Sequence, residues 1–201
     1  MKKIITKRAQ VLRYEVNSNK LTCSVTGIGT CTDGALTVPE KHLLRKVTRI
    51  DDKAFADSAF REITLPDSVT SIGNRAFHQC KNLLEITLGN GVESIGIGAF
   101  QGCENLYGVT LPSAVTEIGA DAFAGCKSLK SIVIPASVAR LESNVFGGCE
   151  KLTRILFTGT ANEWKKIFPH TSRDALPAFC TIECTDGSIK YKDCRDSFLF
   201  S

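Results

Sequence analysis

Apolar residues recur along this chain at a fixed interval of 23 residues. Each copy places a phenylalanine, a cysteine three positions later and a leucine six positions later. The Phe and Cys positions are Phe77 and Cys80, Phe100 and Cys103, Phe123 and Cys126, and Phe146 and Cys149. A period of this length is typical of a solenoid, because one coil cannot bury its own apolar face. The pattern therefore predicts about five stacked coils over residues 36–157.

The apolar positions inside one copy predict two short strands. Ile86 and Leu88 alternate with Glu85 and Thr87, which fits a strand with one buried face. A V-x-x-I step then begins a second side of the coil, and the glycine after it permits a corner. The Ala-Phe-x-x-Cys segment has the spacing of a single helical turn. The predicted fold class is α/β: a right-handed leucine-rich-repeat solenoid of mostly short parallel strands, with caps at both ends.

The repeat fades at the N-terminal end, where residues 1–35 are predicted to form a cap. Tyr14 and Val16 precede a polar stretch at residues 17–20, and Leu21, Cys23 and Val25 follow it. Apolar alternation on both sides of a polar turn is typical of a β-hairpin. The sequence therefore predicts that a hairpin covers the first coil.

Residues 158–201 are predicted to form the C-terminal cap. Thr160 and Glu163 have the spacing of a helix capping box, and Pro169 would end the helix. Three large apolar residues share one face of that helix, namely Trp164, Ile167 and Phe168. Residues 181–184 would add a closing strand.

Composition narrows the class of protein. Of the 201 residues, 43% are hydrophobic and 23% are charged, as in ordinary globular proteins. The longest apolar runs, such as residues 132–135, are far below the ~20 residues of a membrane-spanning helix. Polar residues follow Met1 where a signal peptide would be apolar. The sequence thus predicts no membrane span and a cytoplasmic location, with an exported protein whose signal was removed as the alternative.

The net charge of +4 is unevenly distributed. Residues 1–49 contain ten Lys and Arg against three Asp and Glu, whereas residues 50–201 contain fifteen against eighteen. A basic N-terminal region suits nucleic acid or an anionic surface, but aromatic residues are not interleaved with these cations. A solvated basic face is therefore expected, and nucleic-acid binding by residues 1–49 is the alternative.

The nine cysteines raise the question of disulfides or metal. Cys80, Cys103, Cys126 and Cys149 share one repeat position, so they are expected to stack as a reduced, inward ladder. Cys180, Cys184 and Cys194 form a C-x3-C-x9-C arrangement, which is the one alternative metal- or thiol-dependent site. Its spacing differs from that of a zinc ribbon and lacks a fourth ligand, although His170 is available. We expect no metal and no cofactor.

Catalytic motifs are not found in the sequence. His42, His78 and His170 lack a neighbouring nucleophile motif, and no G-x-S-x-G, H-E-x-x-H or phosphate-binding loop occurs. The sequence predicts that the protein is not an enzyme and has no catalytic residues.

The repeat LxxItLPxxVtxIGxxAFxxC occurs at residues 60–80, 83–103, 106–126 and 129–149. It resembles the BspA-like class of leucine-rich repeats over residues 36–157. This resemblance implies a bacterial or protist protein that is displayed at a cell surface and binds host proteins or other cells. The chain departs from the pattern where Gly89 replaces the turn proline, and where Asp51 and Glu142 replace the corner glycine.

Side chains that alternate with the buried Leu and Ile of each strand must point outward. One such column reads Arg61, Leu84, Tyr107, Lys130 and Thr153, and another reads Thr64, Thr87, Thr110, Val133 and Leu156. Tyr107 between Leu84 and Lys130 has the mixed aromatic character of interface centres. We therefore predict that Arg61, Leu84, Tyr107 and Lys130 bind a protein partner; a merely solvated sheet face is the alternative.

Overall fold

The computed structural model describes residues 12–28, 34–168, 176–177, 180–190 and 199–200. Over these residues the chain is a β-solenoid that contains two sheets and one short helix. The first sheet contains β1 (Arg13–Val16), β2 (Thr22–Gly27), β4 (Lys41–His42), β5 (Arg45–Ile50), β7 (Ser71–Ile72), β9 (Ser94–Ile95), β11 (Glu117–Ile118) and β13 (Arg140–Leu141). The second sheet contains β3 (Ala35–Thr37), β6 (Glu62–Thr64), β8 (Glu85–Thr87), β10 (Gly108–Thr110), β12 (Ser131–Ile134), β14 (Arg154–Phe157), β15 (Thr181–Cys184), β16 (Gly187–Lys190) and β17 (Leu199–Phe200).

The register of both sheets follows the period of the sequence. In the second sheet Ile63 pairs with Ile86, and in the first sheet Ile72 pairs with Ile95, always in parallel. Each full coil contributes one strand to each sheet, so equivalent residues of successive coils lie side by side. The second sheet runs through six successive coils from β3 to β14. The predicted solenoid is confirmed, with about six coils in place of the predicted five.

A stack of phenylalanine rings fills the interior. Phe55, Phe77, Phe100, Phe123 and Phe146 are at most 1% exposed. The first four rings are nearly parallel, with centroids 5.1–5.2 Å apart, and the last pair is 6.1 Å apart. Offset ring stacking adds about 0.5–1.5 kcal/mol per pair to the burial of the rings. The ladder of identical side chains therefore joins the coils into one core.

The Ala-Phe-x-x-Cys segments differ from the helical turns that their spacing predicts. Cys103 N–H bonds to the carbonyl of Phe100, three residues earlier, while Phe100 N–H bonds to Ala122 of the next coil. Gly98 and Gly102 take positive φ of 59° and 75°, which a helix does not contain. These segments are turns because the next coil supplies hydrogen-bond partners that a helix would find within itself.

The corner glycines are required by close contact between coils. A Cβ on Gly96 would lie 2.7 Å from the backbone N of Asn74, and one on Gly119 would lie 2.7 Å from the backbone N of Ile97. Real Cβ atoms do not approach backbone this closely. Glycine at this position therefore lets neighbouring coils approach at the edge of the first sheet.

The predicted terminal elements are present in the described residues. Strands β1 and β2 form an antiparallel hairpin, and β2 pairs in parallel with β5 of the first coil. At the other end, helix α1 (Ala161–Ile167) begins with the predicted capping box of Thr160 and Glu163, and β15 pairs with β14. Trp164 packs edge-on against Phe157 of the last coil. The capping role of these elements stays a prediction, and Pro169 lies outside the described residues.

Candidate functional site

The four predicted binding residues lie in one continuous column beside the second sheet. Backbone N–H groups of Leu84, Tyr107 and Lys130 donate to the carbonyls of Arg61, Leu84 and Tyr107, respectively, over 2.8–3.2 Å. Register fixed by backbone hydrogen bonds places equivalent side chains one strand spacing apart, about 4.8 Å. The structure thus brings Arg61, Leu84, Tyr107 and Lys130 together on one outward face.

Tyr107 is the most prominent apolar group of this column. Its side chain is 57% exposed and Leu84 is 37% exposed. The Lys130 Nζ lies 4.8 Å from the centroid of the Tyr107 ring, within the range of a cation–π contact. The lysine therefore holds the ring without covering it, and leaves an aromatic surface beside a positive charge.

Two hollows adjoin this column. One, of about 380 Å³, is lined by Gly34, Ala59, Arg61, Asn82, Leu84 and Asn105. The other, of about 400 Å³, includes Glu85, Thr87, Gly108, Thr110 and Ser131. A Cβ on Gly108 would find its nearest atom, the Ser131 carbonyl oxygen, at 3.6 Å, which is ordinary contact. Packing therefore does not require glycine there, yet its small size keeps the second hollow open.

The first sheet carries a different groove, which the sequence analysis did not predict. It has a volume of about 580 Å³, and Gly73, Gly96 and Gly119 form part of its lining. Ile97 lines it and is 53% exposed. The feature of the sequence that indicates this groove is the column of glycines at one repeat position. Asp51 and Glu142 take the same position in the coils before and after these glycines.

Charges at the ends of this groove pair with each other. Arg49 lies 2.8 Å from Asp51 and 3.1 Å from Asp52. At the other end Arg140 lies 2.5 Å from Glu142, and this arginine lowers the pKa of the glutamate. The groove therefore has local partners for both of its arginines.

The four repeat cysteines stack inward, at the position that the sequence analysis gives them. Cys80, Cys103, Cys126 and Cys149 are at most 1% exposed, and their thiols are free. Each Sγ donates to the carbonyl oxygen of a phenylalanine one coil earlier, over 3.0–3.3 Å. The hydrogen bond with Cys80 and burial raise the pKa of Cys103 well above its usual value. The four side chains are buried core groups, whereas nucleophilic chemistry requires an accessible thiolate.

The C-terminal cysteines do not form a metal site within the described residues. Burial raises the pKa of the fully buried Cys180 to about 12, and burial also raises the pKa of the half-buried Cys184. Metal ligation needs the thiolate form, which these environments disfavour. No group of three His, Cys, Asp or Glu suited to a metal occurs in the part of the chain that the structure describes. Cys194 and His170 lie outside that part.

The remaining histidines are in dissimilar places. His42 stacks on Tyr14 with ring centroids 3.9 Å apart, while the Nδ1 of His78 is buried without a hydrogen-bond partner among the described residues. The two residues lie on different coils, so the structure does not bring them together.

Among the described residues, no helix has the length and apolar character to span a bilayer.

Three solved structures are similar to this fold. The T. pallidum leucine rich repeat protein has a TM-score of 0.71 and 29% identity, and the match covers 74% of this chain and 70% of that one. A leucine rich cell surface protein from Faecalibacterium prausnitzii A2-165 has a TM-score of 0.70 and 31% identity, covering 78% and 40%. A leucine-rich repeat protein from Bacteroides ovatus ATCC 8483 has a TM-score of 0.54 and 27% identity, covering 72% and 45%.

No curated protein matches the sequence. The family model that describes the BspA type leucine rich repeat region matches residues 40–168 in six copies. Such repeats are typical of protein-interaction modules, which present extended binding surfaces, and of non-enzymatic scaffolds. The match covers more than half of the chain, and its six copies agree with the coils of the second sheet. The chain belongs to the BspA type leucine rich repeat family.

Proposed function

We propose that this chain is a non-enzymatic adhesion module that binds a protein partner at a cell surface through the outward face of the second sheet. The observation that carries the proposal is the exposed Tyr107 ring, with Leu84 on one side and Lys130 over its other side. Arg61 extends the same column. The partner is a protein surface that offers an apolar or acidic group to this column.

The chemistry of the column is that of an interface centre. Tyrosine and arginine are enriched among residues that dominate binding energy, and tyrosine contributes a large contact area with little loss of conformational entropy. Arg61 and Leu84 line a hollow of about 380 Å³, and Gly108, which follows Tyr107 in the chain, lines one of about 400 Å³. A partner that covers the exposed ring and fills these hollows excludes water from the contact.

The face of the second sheet suits this role better than the groove of the first sheet. In the groove, Arg49 and Arg140 already pair with carboxylates 2.5–2.8 Å away, and a ligand would have to compete with those pairs. On the second sheet, Leu84 and Tyr107 expose apolar surface that gains free energy when it is buried. The difference in available binding energy favours the second sheet.

A surface location is supported by one of the similar structures. The F. prausnitzii protein is named a cell surface protein and shares 31% identity with this chain. This chain spans 40% of the length of that protein. We therefore place the module at the cell surface, as the alternative in the sequence analysis has it, in preference to the cytoplasm.

Adhesion of protein-coated beads to cultured epithelial cells tests the proposal. Beads that carry the wild-type chain should be retained above uncoated beads. Gly108→Arg fills the hollow that Gly108 lines, at a site where a Cβ would meet no atom closer than 3.6 Å. We expect this variant to fold normally and to lower retention at least tenfold, about 1.4 kcal/mol of binding.

The matched control is Ile97→Ser, which changes an exposed apolar residue of the groove on the first sheet. Its beads should be retained like the wild type. If bead retention depends on Ile97 and not on Gly108, the binding site is the groove of the first sheet and not the face of the second sheet. Wild-type beads that are retained no better than uncoated beads would contradict adhesion itself.

A further inference from the structure

Two hairpin turns lie side by side at the N-terminal end of the first sheet. One turn, residues 17–21, precedes β2, and the other, residues 43–44, precedes β5. Strands β2 and β5 are parallel neighbours with Thr22 opposite Lys46. Both strands therefore begin at the same end, and the turns that precede them lie next to each other. Arg45 Nε donates to the Lys20 carbonyl over 3.2 Å and ties the two turns together.

The second turn has a sequence that its geometry disfavours. Leu43 and Leu44 join β4 to β5, with His42 paired to Arg45, and their φ angles are 46° and 69°. Positive φ at both central residues is the signature of a type I′ turn, which strongly prefers Asn-Gly. A bulky side chain at positive φ is a conformational outlier. Two leucines here therefore strain the backbone.

The same leucines contribute almost nothing to the core. Leu44 is 97% exposed and Leu43 is 75% exposed, while Leu21, from the neighbouring turn, is 76% exposed. Neither packing nor turn geometry explains three exposed leucines at one edge. Strain that folding does not require is typical of functional sites, and exposed apolar clusters are typical of binding surfaces.

Basic residues flank these leucines in the sequence. The exposed or half-buried residues Lys20, Lys41, Arg45 and Lys46 lie in the two turns or directly beside them. Glu15 and Glu40 are the neighbouring acidic residues, and the backbone carbonyl of Glu40 accepts from the N–H of Val47. Four positive charges against two negative charges leave a net positive region, which matches a surface that carries many negative groups.

We infer that this leucine tip, formed by Leu21, Leu43 and Leu44, inserts into an anionic lipid surface while the four cations contact headgroup phosphates. A protruding apolar tip with a cationic rim fits the boundary between headgroups and acyl chains, where apolar side chains are buried and basic residues remain at the charged surface. The tip is distinct from the Tyr107 column of the second sheet. The module therefore has one site for a bilayer and another for a protein partner.

Sedimentation with lipid vesicles tests this inference. The wild type should sediment with vesicles of phosphatidylcholine and phosphatidylglycerol and much less with phosphatidylcholine alone. The decisive variant combines Leu43→Asn and Leu44→Gly, the residues that a type I′ turn prefers. It should bind anionic vesicles at least about tenfold more weakly, and its melting temperature should equal or exceed that of the wild type.

Two further comparisons distinguish lipid binding by the tip from self-association and from general apolar adsorption. Leu156→Ser changes a leucine that is 37% exposed on the second sheet and should leave vesicle binding unchanged. Higher salt should weaken wild-type binding, because it screens the cations. Three results would each overturn the inference. These are failure of the wild type to sediment with anionic vesicles, binding of the double leucine variant at the wild-type level, and self-association that the leucines drive without vesicle binding.

Discussion

The inward column of phenylalanines and the outward column from Arg61 to Lys130 differ in how much they vary from coil to coil. The inward column repeats one residue, as Phe77, Phe100, Phe123 and Phe146, with rings 5.1–6.1 Å apart. The outward column of the same coils changes at every step, as Arg61, Leu84, Tyr107 and Lys130. Both columns have the same spacing, so geometry does not cause the difference.

Packing explains the contrast. An interior at crystal-like density tolerates few shapes, so each coil must present the ring that its neighbour accommodates. The outward side chains meet solvent and are free to differ. The inner column therefore reports how the chain folds, and the outer column is the surface that we propose to bind a partner.

The largest expected effect is at the centre of the ring stack. Phe100→Ala removes a fully buried ring that stacks on both Phe77 and Phe123. Loss of a buried phenylalanine costs about 3–5 kcal/mol, because transfer and cavity terms add. Urea unfolding followed by circular dichroism should show this loss, whereas the exposed Tyr107→Ala should change stability by about 1 kcal/mol or less. Comparable losses in the two variants would remove the distinction between the columns.

A pair of glycines sharpens the same contrast at the level of the backbone. Gly96→Ala places a Cβ 2.7 Å from backbone atoms of the neighbouring coil, while Gly108→Ala meets nothing closer than 3.6 Å. We expect Gly96→Ala to lower stability by about 1–3 kcal/mol through overpacking, and Gly108→Ala to be neutral within about 0.5 kcal/mol. Thermal unfolding of the two variants measures the difference. Equal melting temperatures would show that the corner relaxes and does not require glycine.

Alkaline pH should destabilise the fold through buried thiols. Burial raises the pKa of Cys180 to about 12, whereas an unfolded cysteine titrates near ~8.5. The folded state therefore keeps its proton longer, and the stability from this group is present below about pH 8.5 and is lost as pH rises towards 12. At about pH 10 the loss is roughly 2 kcal/mol for this thiol.

The control for this pH effect is Cys180→Ala. The variant starts less stable at neutral pH because a buried side chain is removed, but its stability should fall less steeply between about pH 8.5 and 10. Chemical unfolding at several pH values measures both slopes. Parallel slopes in the two proteins would show that Cys180 does not carry the alkaline effect.

The smallest expected effect is the contact between Tyr107 and Lys130. An exposed cation–π pair contributes about 0.5–1 kcal/mol. A double-mutant cycle with Tyr107→Ala and Lys130→Ala, read by urea unfolding, should give a coupling energy in that range. A coupling near zero would mean that the lysine does not hold the ring in solution.

The inner column is readable from the sequence because its signal repeats. The 23-residue interval of Phe and Cys fixes which residues stack, and the parallel register of Ile63 with Ile86 follows from it. The Ala-Phe-x-x-Cys turns are not separable from helical turns in the sequence, since an i to i+3 spacing fits both. Bonds to the next coil decide between them, and these bonds are not local in sequence.

The outer surfaces are only partly readable. Alternation along a strand gives the Arg61 to Lys130 column, but the groove around Ile97 depends on how coils approach at Gly96. The Leu43 and Leu44 turn carries no Gly, Pro, Asn or Asp to announce it. Features of this kind depend on shape in three dimensions and have no local sequence signal.

The most direct test of partner binding by the outward column is bead adhesion of a chain that carries both Leu84→Ser and Tyr107→Ala, measured together with its unfolding in urea. Both residues are exposed, so we predict a stability change of at most about 1 kcal/mol and loss of bead retention on epithelial cells. Retention at the wild-type level by this stable variant would contradict the claim that the outward column binds the partner.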